Sequence, residues 1–578
     1  MEFNILIKHG VVVDGSGAPA VTADVRVRAG RVAEVGPDLK PAVGERVIDA
    51  AGCYVTPGFI ETHNHWDGGV WWSPNMEPLP AYGITTSING NCGFSMAPAR
   101  PEIRDDVIDI FNFFEDIPQA PMEKLVPWDW RRWSEYKASF LRNVKTPVNF
   151  AAFCGHIPIR LYVMGEEAWS RTATPDEIQE MCALLDDALA AGAMGLSSNW
   201  LDYDKHERPL PSQKADDAEF AALLAVLARY PGATFQIIVD HFMRMTGPDT
   251  VERMGKLAKA AGVRMQWAGL PTLKYQAKVR PRSEELHEQF KADGLDFWTG
   301  FHHVSPTSVI NFGRSLVFAQ NGNPVWQEVV NAETWDEKAA MLSSADWRDR
   351  ARTAWDNQFA HSYLNDPTAL TLRESESGYG PTGITLAEYI ARTGANHPSD
   401  ALAEWVLNNG AESVVFKKSW ERDEDVVLQL LKDPRSVGNI SDAGAHGKMF
   451  CGAGDNVYLL TDFVRERGLL TIEEGVHVLT GKLADFFGLN DRGLIRPGMV
   501  ADIVVFNLDE IERRPEERIW DVWDGEGGRT YRYTRAAAPM RLTLVNGQPT
   551  FDNGAFTGRF PGAFVGPQTS APQALAAE

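Results

Sequence analysis

Short runs of alternating or continuous apolar residues occur at both ends of the chain. At the N-terminal end, turn-forming residues separate runs at positions 4–8, 11–13, 25–28 and 32–35. Residues 501–506 and 542–545 have the same character, and Asn546-Gly547 is a strong hairpin signal. This pattern predicts one small β-sandwich domain, built from residues 1–56 together with residues 488–566.

Between these ends, predicted helices alternate with predicted strands. Thr174, Pro175 and Glu177 form a helix start, with an N-cap hydroxyl, a proline at the first helical position and a carboxylate three residues after the cap. Apolar residues then recur at helical spacing until Ala191-Gly192 ends the helix. The alternation continues with strands at 193–198, 234–239 and 263–268 and with helices at 218–228 and 251–261.

Repeated strand–helix units predict an α/β fold with a parallel sheet. The length of the run favours a closed (β/α)8 barrel of the TIM type over residues 57–487, with its functional groups at the C-terminal ends of the strands. Residues at about 305–435 separate two late strands and are predicted to form an insertion beside the active site. Residues 567–578 are predicted to be a disordered tail.

Charge and cysteine content narrow the choice of partners and compartment. The chain has 578 residues, with 56 basic and 78 acidic side chains and a formal net charge of -22. Such a surface repels phosphate backbones and anionic lipid, so we expect neither nucleic acid nor a membrane as partner. Five cysteines do not suggest a disulfide framework, which favours the reducing cytoplasm. Whether the chain forms a homo-oligomer is left open.

His63 and His65 give the clearest chemical signal, because they follow an apolar strand-like run. Residues i and i+2 of a strand share a face, so both imidazoles point at one position. Two imidazoles are suitable first ligands for zinc or a similar divalent ion. Two surface histidines in a loop are the alternative, but the preceding Pro57-Gly58 and the following Asp67 favour a metal site.

Asp442 gives the second signal. It follows the short run 436–441, and the small residues Ala443 and Gly444 leave room for a substrate. A carboxylate there could contact a metal and take a proton from metal-activated water. The alternative for a single loop aspartate is a turn or helix cap. In combination with His63 and His65, the catalytic interpretation is favoured.

Four longer motifs add to these signals: PGFIETHNHWD at 57–67, GNCGF at 90–94, SDAGAH at 441–446 and RGLIRPGMVADIVVF at 492–506. Together they resemble the amidohydrolase superfamily of metal-dependent hydrolases, and in particular its N-acyl-D-amino-acid deacylase (D-aminoacylase) branch. The resemblance spans nearly the whole chain. It implies a barrel with a small β-sandwich and a metal-dependent enzyme that hydrolyses a non-peptide C–N bond, the N-acyl amide of a small molecule. We expect the divalent metal to be Zn2+.

The resemblance also implies residue roles. His63 and His65 match the histidines of the metal strand, Cys92 matches a cysteine ligand, and Asp442 matches the essential aspartate. Two departures are visible: the predicted sixth strand carries no histidine, and the fourth offers no bridging Lys or Glu. We therefore expect one metal per subunit, held by His63, His65, Asp442, His241 and Cys92. The alternatives are a buried structural thiol for Cys92 and a loop-capping residue for His241.

Five further residues are predicted to contact the substrate. His156 and His446 lie near predicted strand ends and could hydrogen-bond a substrate carbonyl or leaving group, or else support neighbouring ligands. Trp66, Trp200 and Trp267 occur where the substrate loops of a barrel belong. They predict an apolar pocket, although core packing is the alternative for each.

The expected reaction is hydrolysis by metal-activated water, with Asp442 as the general base that then passes its proton to the leaving nitrogen. Three functions remain open. The first is deacylation of N-acyl-D-amino acids, which needs a cation for the substrate carboxylate, and Arg160, Arg244 and Lys274 are candidates. The second is hydrolysis of a hydrophobic aromatic amide, carbamate or urea, which needs no such cation. The third is a metal-depleted, non-catalytic binding homologue.

Overall fold

The computed structural model of the chain describes residues 4–204, 206–305, 307–313, 323–358, 366–418 and 420–568. In chain order, the strands are β1 (Ile5–Val12), β2 (Val21–Arg28), β3 (Arg31–Gly36), β4 (Arg46–Asp49), β5 (Tyr54–Pro57), β6 (Phe59–Glu61), β7 (Ile84–Asn89), β8 (Asn149–Ala152), β9 (Cys154–Gly155), β10 (Gly195–Trp200), β11 (Thr234–Val239), β12 (Arg264–Ala268), β13 (Phe297–Gly300), β14 (Ser308–Asn311), β15 (Leu370–Glu374), β16 (Ile384–Thr385), β17 (Val414–Lys417), β18 (Ser436–Val437), β19 (Ile503–Phe506), β20 (Glu516–Trp523), β21 (Arg529–Arg535), β22 (Leu542–Val545), β23 (Gln548–Asp552) and β24 (Ala555–Phe556).

The α-helices alternate with the central strands. Their bounds are Arg104–Glu115, Gln119–Leu125, Trp133–Asn143, His156–Met164, Pro175–Ala190, Asp217–Leu227, Gly247–Ala261, Arg280–Ala292, Pro324–Asn331, Trp335–Ser343, Ala345–Asn357, Leu386–Thr393, Pro398–Asn409, Glu424–Lys432, Asp455–Tyr458, Ile472–Leu479 and Gly481–Phe486. The predicted start at Thr174 is confirmed, since its side chain accepts from Glu177 N and the Glu177 side chain accepts from the Thr174 backbone. No described helix combines the length and the apolar character that crossing a membrane requires.

Two parallel sheets form the centre of the molecule. One has the order β18-β13-β12-β11-β10-β9, and the other has the order β6-β7-β8. Only Phe153 separates β8 from β9, and a parallel bridge joins His63, just beyond β6, to Ile440, just beyond β18. With helices between successive strands, the chain has the α/β fold that the sequence predicts. The C-terminal strand ends meet at one edge, which is where loops can gather functional groups.

Both chain ends contribute to a third sheet. It has the order β24-β23-β22-β19-β5-β1-β2-β3, and β4 pairs with β1. Buried side chains from both ends, including Val25, Val55, Ile503 and Leu544, pack together in its core. The hairpin of β20 and β21 forms a separate two-stranded sheet outside this one.

The segment between β13 and β18 has a core of its own. Its strands form an antiparallel sheet of order β14-β17-β15-β16. Trp326, Trp347, Trp355 and Trp405 are buried against this sheet, so several of the chain's tryptophans stabilise the inserted segment. The helix Glu424–Lys432 then leads directly into β18.

The predicted tail falls largely on residues 569–578, which lie outside the described residues. The part just before it is ordered against the parallel sheets. Phe150 N donates to Ala563 O, and Val565 N donates to Phe150 O. Gln568 N donates to Gly488 O at 2.8 Å. The segment at 562–568 therefore packs beside the β8 strand and the loop after Phe487.

Candidate metal centre and active site

His63, His65 and Cys92 form a buried cluster just beyond the C-terminal ends of β6 and β7. The Nε2 atom of His63 lies 3.0 Å from Cys92 Sγ, and the ring centroids of His63 and His65 are 5.3 Å apart. One donor atom from each of the three residues lies within 4.8 Å of the others. Nitrogen and sulfur donors this close together are typical of a zinc-type site.

The backbone just beyond β6 pairs with the backbone just beyond β18, and this pairing directs both histidine side chains to the same face. His65 N donates to Ala443 O at 3.0 Å, and Asp442 N donates to His63 O at 3.1 Å. Asn64, which lies between the histidines, turns to the other side, where its amide hydrogen-bonds buried groups. The extended backbone thus gives the alternation that the His-x-His spacing predicts.

Asp442 faces the cluster from the loop after β18. Its Oδ1 lies 3.6 Å from His63 Nε2 and 4.0 Å from His65 Nε2. Burial, together with the charge of Asp455, raises the pKa of Asp442 to about 7. Burial lowers the pKa of His63 to about 3 and holds the pKa of His65 well below its usual range. Near pH 7 both imidazoles are therefore neutral, which is the form that binds a metal.

These donor atoms fit a divalent metal ion. Within the described part of the chain, neither ring nitrogen of His65 has a hydrogen-bond partner, and neither does Nδ1 of His63. Buried polar atoms are rarely left unpaired in native proteins. Neutral imidazole, a cysteine thiolate and a carboxylate are all ligands that zinc accepts. The orphaned ring nitrogens and the mixed donor set are consistent with a bound ion.

A cavity of about 610 Å3 opens over the cluster. His302 and His446 line it beside the cluster, whereas His303 turns away and its Nε2 contacts Asp455 O at 2.9 Å. Much of the remaining lining is apolar and includes Phe114, Ile238, Phe242, Leu270, Trp420 and Phe450. The size and the lining suit a small organic molecule.

The structure does not bring His241 to the cluster. Its Nε2 lies 2.9 Å from Ser283 Oγ, and its ring packs 5.6 Å from Trp267. Ile238 of β11 lines the cavity, but the backbone turns after Val239, where His241 N donates to Val239 O, and the His241 ring is directed toward the helix Arg280–Ala292. Its expected role as a ligand is therefore not supported, and a buried packing position replaces it.

His156 is also placed away from the cavity. Its Nε2 lies 2.7 Å from Glu219 Oε1, and its Nδ1 lies 3.1 Å from Ser198 Oγ. Arg160 pairs with the other oxygen of Glu219. Both ring nitrogens are thus used in a buried network behind the strands, and the expected contact between His156 and a substrate is not supported.

The three tryptophans expected in the pocket lie outside the cavity lining. Trp267 is fully buried and stacks on Phe297, and the Arg253 guanidinium covers Trp200 at 4.8 Å. Trp66 follows His65 on extended backbone and so points away from the cluster. Strand alternation explains these positions, because Ala268 of β12 lines the cavity and its neighbour Trp267 must face the helices.

Sequence reasoning missed several polar residues of the cavity. Glu115, Asp202, Arg422 and Arg513 all line it. Glu115 ends the helix Arg104–Glu115, and its Oε1 lies 3.6 Å from His65 Nε2. The sequence signal for Glu115 is weak: it directly follows Phe113 and Phe114, and a glutamate among buried aromatic residues is rare unless it has a partner. The arginines come from distant segments and carry no comparable local signal.

A cluster of histidine, cysteine and carboxylate at the C-terminal edge of parallel strands is the arrangement expected of a metal-dependent hydrolase of the α/β class. The sequence model of the amidohydrolase family matches residues 46–365 and 386–551, and the chain belongs to this family. It is accordingly a hydrolase that acts on carbon–nitrogen bonds other than peptide bonds.

Similar proteins were found among both sequences and structures. The chain is 28% identical over 559 residues to N-acyl-D-aspartate deacylase of Alcaligenes xylosoxydans xylosoxydans, which covers 93% of this chain and 95% of that protein. It is 26% identical over 577 residues to D-aminoacylase of the same organism, with 97% of each chain covered. The structure of N-acyl-D-glutamate deacylase from Bordetella bronchiseptica with zinc and a phosphonate inhibitor has a TM-score of 0.65 at 24% identity, covering 98% of this chain and 100% of that one. This structural likeness shows the fold alone.

Proposed function

We propose that the chain is a metal-dependent deacylase that hydrolyses the N-acyl bond of N-acyl-D-amino acids or closely similar small molecules. The observation that carries the proposal is the convergence of His63, His65, Cys92 and Asp442 at one end of the cavity. Zinc, at one ion per subunit, is the metal that this mixed donor set suits. Relatives named D-aminoacylase and N-acyl-D-aspartate deacylase support the substrate class.

In this proposal His63, His65, Cys92 and Asp442 hold the metal. A divalent ion supplies positive charge that polarises an amide carbonyl and favours loss of a proton from water. Burial raises the pKa of Asp442 to about 7 in the metal-free protein, and its Oδ1 faces both imidazoles, where it can meet a water at the ion. We assign Asp442 as the general base toward the attacking water and as the proton donor to the leaving nitrogen. The apolar walls limit access of other water to the reacting bond.

Arg513 is the proposed contact for the substrate carboxylate. Its Nη2 donates to Asp455 Oδ1 at 2.8 Å, and no described residue accepts a hydrogen bond from its Nη1. Arg422 lines the same cavity, yet its Nε donates to Glu424 at 2.7 Å and its Nη1 to the His303 carbonyl. Arg513 therefore has the more available donor.

The cations considered from the sequence are placed elsewhere. Arg160 is buried against Glu219, and Lys274 pairs with Glu421 at the surface. Arg244 stacks on Tyr203 at 3.6 Å. None of Arg160, Arg244 and Lys274 belongs to the described lining of the cavity.

We also propose that the parallel strands form a closed (β/α)8 barrel within residues 57–487. Two connections support closure: β8 and β9 are one strand interrupted at Phe153, and the bridge between His63 and Ile440 links the β6 side to the β18 side. The sheet that combines β1 to β5 with β19 and β22 to β24 supports a small split domain from residues 1–56 and 488–566. The inserted sheet between β13 and β18 supports an insertion at about 305–435.

Metal analysis and a substrate panel test the function. Purified protein should carry about one tightly bound divalent ion, and chelation should abolish hydrolysis until zinc is restored. N-acetyl-D-amino acids and neutral N-acetyl anilides of similar size should then be compared, with N-acetyl-L-amino acids as the matched stereochemical control. Activity confined to the anilides would move the assignment to an aromatic amide hydrolase. Protein that carries no metal and hydrolyses nothing would instead be the non-catalytic binding homologue.

A further inference from the structure

Glu115 reaches the metal-binding cluster from outside the strand ends. It is the last residue of the helix Arg104–Glu115, and its side chain is buried. Its Oε1 lies 3.6 Å from His65 Nε2, and its Oε2 lies 3.5 Å from His446 Nε2. The backbone of His446 also donates to the Glu115 carbonyl, which fixes the two residues relative to each other.

His65 gives independent evidence that a cation binds at this position. It is fully buried, and its two ring nitrogens lack a hydrogen-bond partner within the described residues. Its Nε2 faces both Glu115 and Asp442, at 3.6 and 4.0 Å. An imidazole nitrogen that faces two carboxylates but bonds to neither points to a cation between them.

The distances match the separation of ligands around one ion. With metal–ligand bonds of about 2.0–2.3 Å and the angles of about 90–120° of a five-coordinate ion, two ligand atoms lie about 2.8–4.0 Å apart. The pairs His65–Glu115 and His63–Asp442, both at 3.6 Å, fall inside that range. The pairs His63–Cys92 at 3.0 Å and His65–Asp442 at 4.0 Å fall near its limits. The family resemblance implies further ligands at the ends of β11 and β12. Neither strand supplies one, because Ala268 ends β12 and His241, after β11, faces the helices.

We propose that Glu115 is a further ligand of the metal, and that His446, whose Nε2 lies 3.5 Å from the second carboxylate oxygen of Glu115, is a positioning residue. The inference rests on the proposed function only in requiring that a divalent ion binds at this cluster. Glu115 then takes the place of the histidines missing from the late strands. The ligand set would include one carboxylate from a helix that follows β7 and not only residues at strand ends.

The test measures metal binding rather than catalysis. Wild type, Glu115→Gln, Glu115→Ala and His446→Asn are stripped of metal and titrated with Zn2+ alone against a chromogenic chelator. We expect Glu115→Gln and Glu115→Ala to weaken binding at least tenfold, and His446→Asn to weaken it about 10–100-fold, as expected for a residue that orients a ligand. With Co2+ as probe, the absorption spectrum of Glu115→Gln should change in band position and intensity, because a ligand is lost.

Glu424→Gln is the matched control, since Glu424 lines the same cavity but pairs with Arg422 and Arg467. It should keep wild-type affinity and the wild-type Co2+ spectrum. Thermal unfolding of the metal-free variants checks that each is folded. Wild-type affinity and an unchanged Co2+ spectrum in Glu115→Gln would overturn the role of Glu115, while wild-type protein that binds no metal would overturn the proposed function itself.

Discussion

Cys92, Asp442 and His446 line the cavity on backbone conformations that L-residues rarely adopt. Their φ angles are 56°, 53° and 52°. Each such residue costs on the order of 1 kcal/mol or more, and it persists only where the surrounding structure holds it. The hydrogen bonds from Asp442 N to His63 O and from His446 N to Glu115 O are such restraints. We infer that these three side chains are fixed in position at some cost in stability.

At the scale of single residues, we expect metal binding to release protons from its ligands. Asp442 has a pKa of about 7 in the metal-free protein, and burial raises the pKa of the Cys92 thiol and of the Glu115 carboxyl. Each of these three groups must lose its proton to bind a cation, whereas His63, with a pKa of about 3, is already neutral. Zinc affinity should therefore rise as pH increases from about 6 to 8, by about tenfold per pH unit for each proton released.

Chelator competition at several pH values measures this slope, and calorimetry in two buffers of different ionisation enthalpy counts the protons. Asp442→Asn removes one of the titrating groups, so its slope should be smaller than that of wild type by close to one proton below pH 7. An identical slope in the two proteins would mean that Asp442 is not protonated before metal binds.

Strand alternation explains which parts of the site could be predicted from the sequence. The spacing of His63 and His65 fixes a shared face, and the structure keeps it. For β11 and β12 the strands can be predicted but not which face points inward, because both faces of each strand are buried. His241 and Trp267 were therefore expected in the pocket, while Ile238 and Ala268 occupy it.

Glu115 shows a different limit. It lies far along the chain from His446, and only the packing of the helix Arg104–Glu115 against the loop after β18 brings them together. Such a contact depends on tertiary structure, so periodicity and local motifs do not predict it. The α/β alternation and the sheet built from both chain ends, by contrast, follow from local patterns and were predicted.

Gly444 controls how closely the loop after β18 approaches the extension of β6. Its φ is +94°, and a Cβ there would lie 2.9 Å from the His65 carbonyl carbon. Gly444→Ala should push the loop away, and with it Asp442, besides a backbone cost of about 1–2 kcal/mol. We expect a lower melting temperature of the metal-free protein and at least tenfold weaker zinc binding.

Gly447→Ala is the control for this change. It lies three residues further along the same loop, its φ is not left-handed, and its added Cβ would meet Arg532 Cβ at 3.5 Å, an ordinary contact. Thermal unfolding and zinc titration should leave Gly447→Ala close to wild type. Equal losses in the two variants would show that the approach at Gly444 has no special role.

At the scale of the whole molecule, the surface and the cavity lining are both rich in acidic residues. The chain carries a net charge of -22, and six carboxylates line the described cavity, from Glu115, Asp202, Glu424, Asp442, Asp455 and Glu516. Only Arg422 and Arg513 oppose them in that lining, and each already contacts one of these carboxylates. Glu115 and Asp442 face the proposed ion, and Glu424, Asp455 and Glu516 each pair with an arginine. The ion and Arg513 can accommodate one substrate carboxylate, but the described lining holds no further cation for a second one.

This charge balance predicts selectivity among N-acyl-D-amino acids. N-acetyl-D-leucine should be hydrolysed with a kcat/KM at least tenfold above that of N-acetyl-D-aspartate, because the apolar walls favour the leucine side chain and nearby carboxylates repel the second anion. N-acetyl-D-asparagine is the matched control, since it has nearly the shape of the aspartate substrate without its side-chain charge. If the side-chain charge determines the difference, the kcat/KM for N-acetyl-D-asparagine should be several-fold above that for N-acetyl-D-aspartate. If aspartate is hydrolysed as well as asparagine, an unpaired cation faces the substrate side chain, and the predicted charge balance is wrong.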